Sequence, residues 1–143
     1  PPSSMCRKGA ILADPILKLE HADSRGEIYS ITLPSDRELL LLHSKAGSLR
    51  GGHRHDGVDK ELVVVLTGKV KYTKRLDSRD GAWSFVAQEG AFVEHTSSEY
   101  HLAEFLEDSW VLESKSRPDK HSWKNVDYEP WRERVKANAK EKL

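Results

Sequence analysis

Three side chains able to bind a metal or move a proton fall in the segment GSLRGGHRHDGVDKELVVVLTG, residues 47–68: His53, His55 and Glu61. In an extended strand, residues two apart project to the same face. His53 and His55 can therefore present two imidazoles to one point. Imidazole suits Zn, Fe, Ni and Cu, and an added carboxylate widens the choice toward Mn. On its own, an H-x-H pair is explained as well by two solvated or hydrogen-bonded histidines. Glu61 shifts that balance. It opens a valine-rich run and shares a strand face with Val63 and Val65. An unpaired carboxylate there would be costly to bury, and a metal ion or a neighbouring cation removes the cost. The bland alternative is a glutamate left partly wet at a barrel rim.

These residues must be placed by strands, because short β-prone runs dominate the chain. Candidates are residues 16–19, 27–33, 38–43, 49–55, 61–66, 69–76, 82–87, 91–95, 101–106 and 110–114. Turn signals separate them: LPSD, KAGS, TGK, DSRDG, QEG and EDS. Many short, closely spaced strands argue for an antiparallel sandwich or barrel. The runs at 38–43 and 61–66 are apolar on both faces. Each needs cover on both sides, from the barrel interior and from a second layer or a partner subunit. A homodimer is therefore expected. Only the C-terminus reads as helical. Pro130 suits a first turn after Asp127 or Glu129 as cap or early acidic residue, and Trp131, Val135 and Ala139 recur every fourth position. The reading adopted is a helix docked on the barrel or on a second subunit, with a role in ligand binding set second.

Length and charge bound the function. The 143 residues fit one domain with one core. Lys plus Arg is 23 and Asp plus Glu is 23, a formal net charge of zero. Nothing in that balance attracts nucleic acid or an anionic membrane, and neither is expected as a partner. The longest apolar runs, 39–42 and 62–66, fall far short of the roughly 20 residues of a membrane span. The opening PPSSMCRKGAIL lacks the apolar region of a signal peptide, and Cys6 is the one cysteine. A cytoplasmic setting is expected from both.

The segment at 47–68 resembles the first motif of the cupin superfamily, G-x5-H-x-H-x(3,4)-E-x6-G. Gly47, His53, His55, Glu61 and Gly68 match it, with five residues between His55 and Glu61. The second cupin motif, G-x5-P-x-G-x2-H-x3-N, is similar in spacing to the stretch from Gly90 to His101. Thr96, Ser98 and Phe105 replace its proline, glycine and asparagine. The resemblance spans residues 38–114. It implies an all-β chain with a single antiparallel jelly-roll β-barrel, taken over residues 15–116; outside it, the residue pattern reads as a flexible segment at 1–14 and a C-terminal extension with a short helix at 117–143. It also implies one divalent metal ion (Fe, Mn, Zn or Ni) held by His53, His55, Glu61 and His101.

Other polar residues are candidates for the same pocket. His95 lies six residues before His101 and is a candidate acid/base, a surface histidine being the plain alternative. Glu61 is the other candidate base. Arg50 suits an anionic group on a ligand. Tyr72 and Trp83 lie in strands that can line a barrel, as ligand contacts or as core. Tyr100 should face away from His101, its neighbour, and His21, His43 and His121 are given no role. The RGGHRH segment also resembles the R-G-x-H-A-H of cupin-like sugar-nucleotide ketoisomerases, and ADSRGEIYSI resembles the D-x-R-G segment of those proteins and related epimerases. There histidines move protons rather than hold metal.

The expected function is that of a metal-dependent cupin acting on a small polar molecule of carbonyl or carbohydrate type, by isomerase, epimerase or lyase chemistry. A metal-dependent dioxygenase, a metal-free sugar-nucleotide ketoisomerase and a non-catalytic ligand-binding cupin remain alternatives, because this fold hosts many chemistries.

Overall fold

A computed structural model describes residues 17–33, 38–77, 81–116 and 124–141. The expected flexible segment at 1–14, Cys6 and His121 lie outside the described residues. Among the described residues, eleven strands and one helix follow in order: β1 (Leu17–Asp23), β2 (Gly26–Thr32), β3 (Glu38–Ser44), β4 (Leu49–Asp56), β5 (Lys60–Thr67), β6 (Lys69–Leu76), β7 (Trp83–Gln88), β8 (Phe92–Thr96), β9 (Glu99–Phe105), β10 (Ser109–Ser116), β11 (Lys124–Asp127) and α1 (Glu129–Glu141). Their pairings are antiparallel. A six-stranded sheet runs β1-β2-β3-β10-β5-β8, and a five-stranded sheet runs β11-β4-β9-β6-β7. This is the all-β jelly-roll with a short C-terminal helix that the sequence indicated.

The core lies between the two sheets and follows from period-two alternation. Val63, Val65, Val70, Val111 and Phe105 are wholly or nearly wholly buried and pack in one cluster with Leu42, Tyr72 and Val93. Burying each such side chain stabilises the fold by roughly 1.5–3 kcal/mol.

The outer face of the six-stranded sheet is also apolar. Registered neighbours Tyr29, Leu41, Leu112, Val64 and Phe92 form one row across five strands. Phe92 at its end is 62% exposed. The both-faced apolar runs at 38–43 and 61–66 thus place one face in the core and the other in this row.

Strand β11 has no counterpart among the sequence-derived strands. Its four residues, KNVD, carry one apolar side chain and no alternating pattern. What makes it a strand is the free edge of β4, on which Lys124–Asp127 pairs in register. Helix α1 starts after Tyr128, whose carbonyl accepts from the backbone N–H of Trp131 and Arg132 at 3.0 and 2.9 Å. Val135, with Trp131 beside it, packs on Leu49 and Leu102. The helix is docked on β4 of its own chain.

Candidate metal centre

Strand β4 carries His53 and His55, but regular pairing breaks just before them. The register of β4 against β9 shifts between Gly51 and His53, which pairs with His101. Gly51 and Gly52 sit at φ +91° and +80°, a region that side-chain-bearing residues rarely adopt. A Cβ at Gly51 would lie 2.7 Å from the His101 carbonyl oxygen, and one at Gly52 would lie 3.0 Å from the Arg132 amide nitrogen. The second glycine of RGGHRH is thus the extra residue of a β-bulge, and bulges re-aim side chains. Here the bulge precedes the turn of His53 toward His101.

Strands β4, β5, β8 and β9 bring five donor side chains together. The ligand atoms of His53, His55 and His101 lie within 4.8 Å of one another, as do those of Glu61, His95 and His101. His55 Nε2 is 3.1 Å from Glu61 Oε2, and His101 Nε2 is 3.5 Å from Glu61 Oε1. His55, Glu61, His95 and His101 are all buried, and His53 is half-buried. The loop of five residues between His55 and Glu61 does not keep the carboxylate from the cluster.

The electrostatics are those of a dry, crowded site. Burial, then the neighbouring His101 and His55, pushes His53 down to about 2. Burial lowers His101 to about 4 against the opposing pull of Glu61. His95 is held well below its ordinary value by burial and by His101. These imidazoles are therefore neutral near pH 7, the form that binds metal. Burial alone would raise Glu61. The hydrogen bond from His55 and the charges of Lys115 and His101 outweigh it and hold the carboxyl well below its usual range.

His95 stacks on His101, with ring centroids 4.2 Å apart and planes 6° from parallel. Neither of its ring nitrogens, nor Nδ1 of His101, has a hydrogen-bond partner among the described residues. Sequence reasoning gave His95 a proton-transfer role only; the structure also places it within donor range of Glu61 and His101.

A cavity of about 310 Å³ opens onto this cluster. Tyr72 lines it, its ring 5.3 Å from that of His95, and burial pushes its phenol up. Arg50 lines it too. Its Nε donates to Ser44 Oγ at 2.7 Å, while its buried Nη2 has no partner among the described residues. Burial and then the charge of Arg25 lower the guanidinium to about 10. Trp83 is a correction. It is 44% exposed and does not line the cavity, because it is the first residue of the edge strand β7. Tyr100 faces away, its hydroxyl donating to Asp77 at 2.9 Å.

Five polar lining residues were not singled out by the sequence: Arg25, Glu113, Lys115, Asn125 and Arg132. Lys115 Nζ is 3.0 Å from Glu61 Oε2. Burial, then Glu61, raises Glu113 to about 7. A signal existed for this pair: alternation from the buried Val111 puts Glu113 and Lys115 on the inner face of β10. Arg25 lies in the DSRG segment, its guanidinium forked on Asp23 and donating to the Leu49 carbonyl at 3.0 Å. Asn125 and Arg132 had no comparable signal, since the tail's placement on β4 is tertiary.

No family model matches the chain, and no curated protein matches it. Solved structures do. The capsular polysaccharide assembling protein CapF from Staphylococcus aureus superposes with a TM-score of 0.67 at 21% identity, over 83% of this chain and 34% of that one. Oxalate decarboxylase from Bacillus subtilis, with its Mn(II) centres, gives 0.61 at 15% identity, over 78% of this chain and 30% of that one. The Drosophila melanogaster CENP-C cupin domain gives 0.57 at 14% identity, over 70% and 75%. The chain thus spans 34% of the length of CapF and 30% of the decarboxylase.

Proposed function

We propose that this chain, which has the cupin fold, holds one divalent ion among His53, His55, Glu61 and His101 and acts on a small, polar, anionic molecule. The observation that carries the reading is the convergence of these four donors from β4, β5 and β9 on the wall of one cavity. The donor set fits a metal: three imidazoles, at least two of them neutral near pH 7, one ionised carboxylate, and buried ring nitrogens left without hydrogen bonds. Such N and O donors suit Fe, Mn, Zn or Ni. The Mn(II) centres of the similarly folded oxalate decarboxylase support Mn within that group.

When bound, the ion supplies Lewis acidity at an oxygen of the ligand. The chain's own residues do the rest. Arg50 offers a buried, partly unpaired guanidinium to a carboxylate or phosphate. His95 is the candidate to take up and return a proton beside the bound oxygen, with Tyr72 against it. Glu61, His95 and His101 are buried, and a polar contact made away from bulk solvent is stronger. Isomerase, epimerase or lyase chemistry next to a carbonyl fits these groups. The likeness to CapF supports a carbohydrate-type ligand. The apolar row on the outer sheet face supports a homodimer.

Elemental analysis of protein purified without an affinity tag tests the reading. The expected result is about one divalent ion per chain in the native protein and a large loss in His53→Ala. Equal content in both would sink the ligand assignment.

One observation favours a second reading, a metal-free sugar isomerase. Lys115 already stands 3.0 Å from Glu61, so the carboxylate has a cation beside it. In that case the imidazoles of His53 and His55 move protons, and the protein binds nucleotide-linked sugars without metal.

A further inference from the structure

His55 is gripped from both sides. Its Nδ1 is 2.7 Å from the side-chain oxygen of Asn125, and its Nε2 is 3.1 Å from Glu61 Oε2. The amide oxygen can only accept, so Nδ1 carries the proton and donates it. That leaves Nε2 facing a carboxylate oxygen. Two lone pairs at that distance repel unless a cation lies between them, either a proton on Nε2 or a metal ion.

Asn125 is delivered by β11, where it pairs in register with His55. Directly opposed residues of an antiparallel pair share a face, so both side chains point to the cavity, which both line. The rest of the C-terminal segment locks this register. The Tyr128 amide donates to the Gly52 carbonyl at 2.9 Å, and Arg132 Nη1 donates to the Gly51 carbonyl at 3.0 Å. Asn138 accepts from the Leu49 amide and donates to the Gly47 carbonyl, both at 2.9 Å. The carbonyls freed by the β4 bulge are thus taken by the segment that carries Asn125.

We propose that Asn125 is the positioning residue of the site: it fixes His55 with Nδ1 protonated and Nε2 turned toward Glu61 as a metal ligand. The proposal rests on the metal-site reading above for the ligand role, but not for the tautomer. A partner on the distal nitrogen sets which imidazole nitrogen can bind a metal, and losing such a partner typically weakens binding 10–100-fold.

The test uses the full chain with Co(II) alone as probe, since its visible absorption reports the donor set, together with ¹⁵N shifts of the histidine rings in metal-free protein. Asn125→Leu should bind Co(II) about 10–100-fold more weakly, with the Nδ1–H signature of His55 lost in the metal-free protein. Asn125→Asp keeps an acceptor and should restore both tautomer and affinity. If Asn125→Leu does not fold, Asn125→Ala removes the acceptor without added bulk. Native Co(II) affinity together with an unchanged His55 tautomer in the apolar variant would overturn the proposal. If the native protein takes up no Co(II), the metal reading falls and the ring shifts decide alone. A tautomer that changes on loss of the amide upholds the role of Asn125, and one that does not change overturns it.

Discussion

The imidazoles of His95 and His101 lie face to face, 4.2 Å between centroids and 6° from parallel, both buried in the cavity wall. His101 contacts Glu61 through Nε2, while His95 has neither ring nitrogen engaged among the described residues. Under the proposed function, His101 should hold the ion and His95 should move the proton.

Substitution separates these roles. His101→Gln should lose most bound metal. His95→Gln should keep the metal and lose turnover by about a hundredfold or more, the usual scale for a general base. Metal content and single-turnover rates measured on both variants check this. Loss of metal from His95→Gln would instead make His95 a ligand within the Glu61–His101 group.

Arg50 should decide affinity for the charged end of the ligand. Its Nη2 is buried without a partner, so an anion that fills this gap gains a charge-assisted hydrogen bond worth about 1.5–3 kcal/mol. Arg50→Met should weaken binding of small carboxylates or phosphates by roughly 10–100-fold while leaving metal content unchanged. Isothermal titration with both ligand types reads this directly.

The outer row of Tyr29, Leu41, Leu112, Val64 and Phe92 should be a subunit interface. Leu112 sits at its centre, paired with Leu41 on one side and Val64 on the other. A charge there should split a dimer and leave the core intact, because Val111, not Leu112, faces inward. Light scattering should give twice the chain mass for native protein and a single chain for Leu112→Glu.

Acid should destabilise the metal-free protein. His101 is lowered from 6.5 to about 4 in the folded state. Between those values the unfolded chain binds the proton and the folded one does not, so stability falls as pH drops through that window. The shift corresponds to about 3 kcal/mol. His53 and His95 act in the same direction. Glu61, held low, adds a loss below about 4.5, while Glu113, raised to about 7, opposes the trend between 4.5 and 7. Urea midpoints from pH 7.5 to 4 should fall with pH, and a flat profile would contradict a buried neutral histidine cluster. A saturating divalent ion should raise the midpoint at pH 7 and lose this effect in acid, where protons compete for the ligands.

Strand positions were legible wherever side chains alternate. The runs at 61–66 and 69–76 reappear as β5 and β6 because period two and burial on one face are local properties of a sequence. The spacing of His53, His55 and Glu61 was legible for the same reason: two strands joined by a short polar loop leave little freedom in where their side chains meet. The convergence of His101 and His95 on that point was not local. It depends on β9 lying beside β4 and β8 beside β5, pairings set by sheet order over tens of residues. Arg25, Glu113, Lys115, Asn125 and Arg132 reach the cavity from four further places, the β1–β2 turn, β10, β11 and α1, and only the alternation along β10 marked any of them. The sequence by itself determined which residues could be donors and which strands carry them. Only the tertiary structure decided which donors face one another, because register between distant strands is fixed by burying the shared apolar face, and that choice is made by the whole sheet at once.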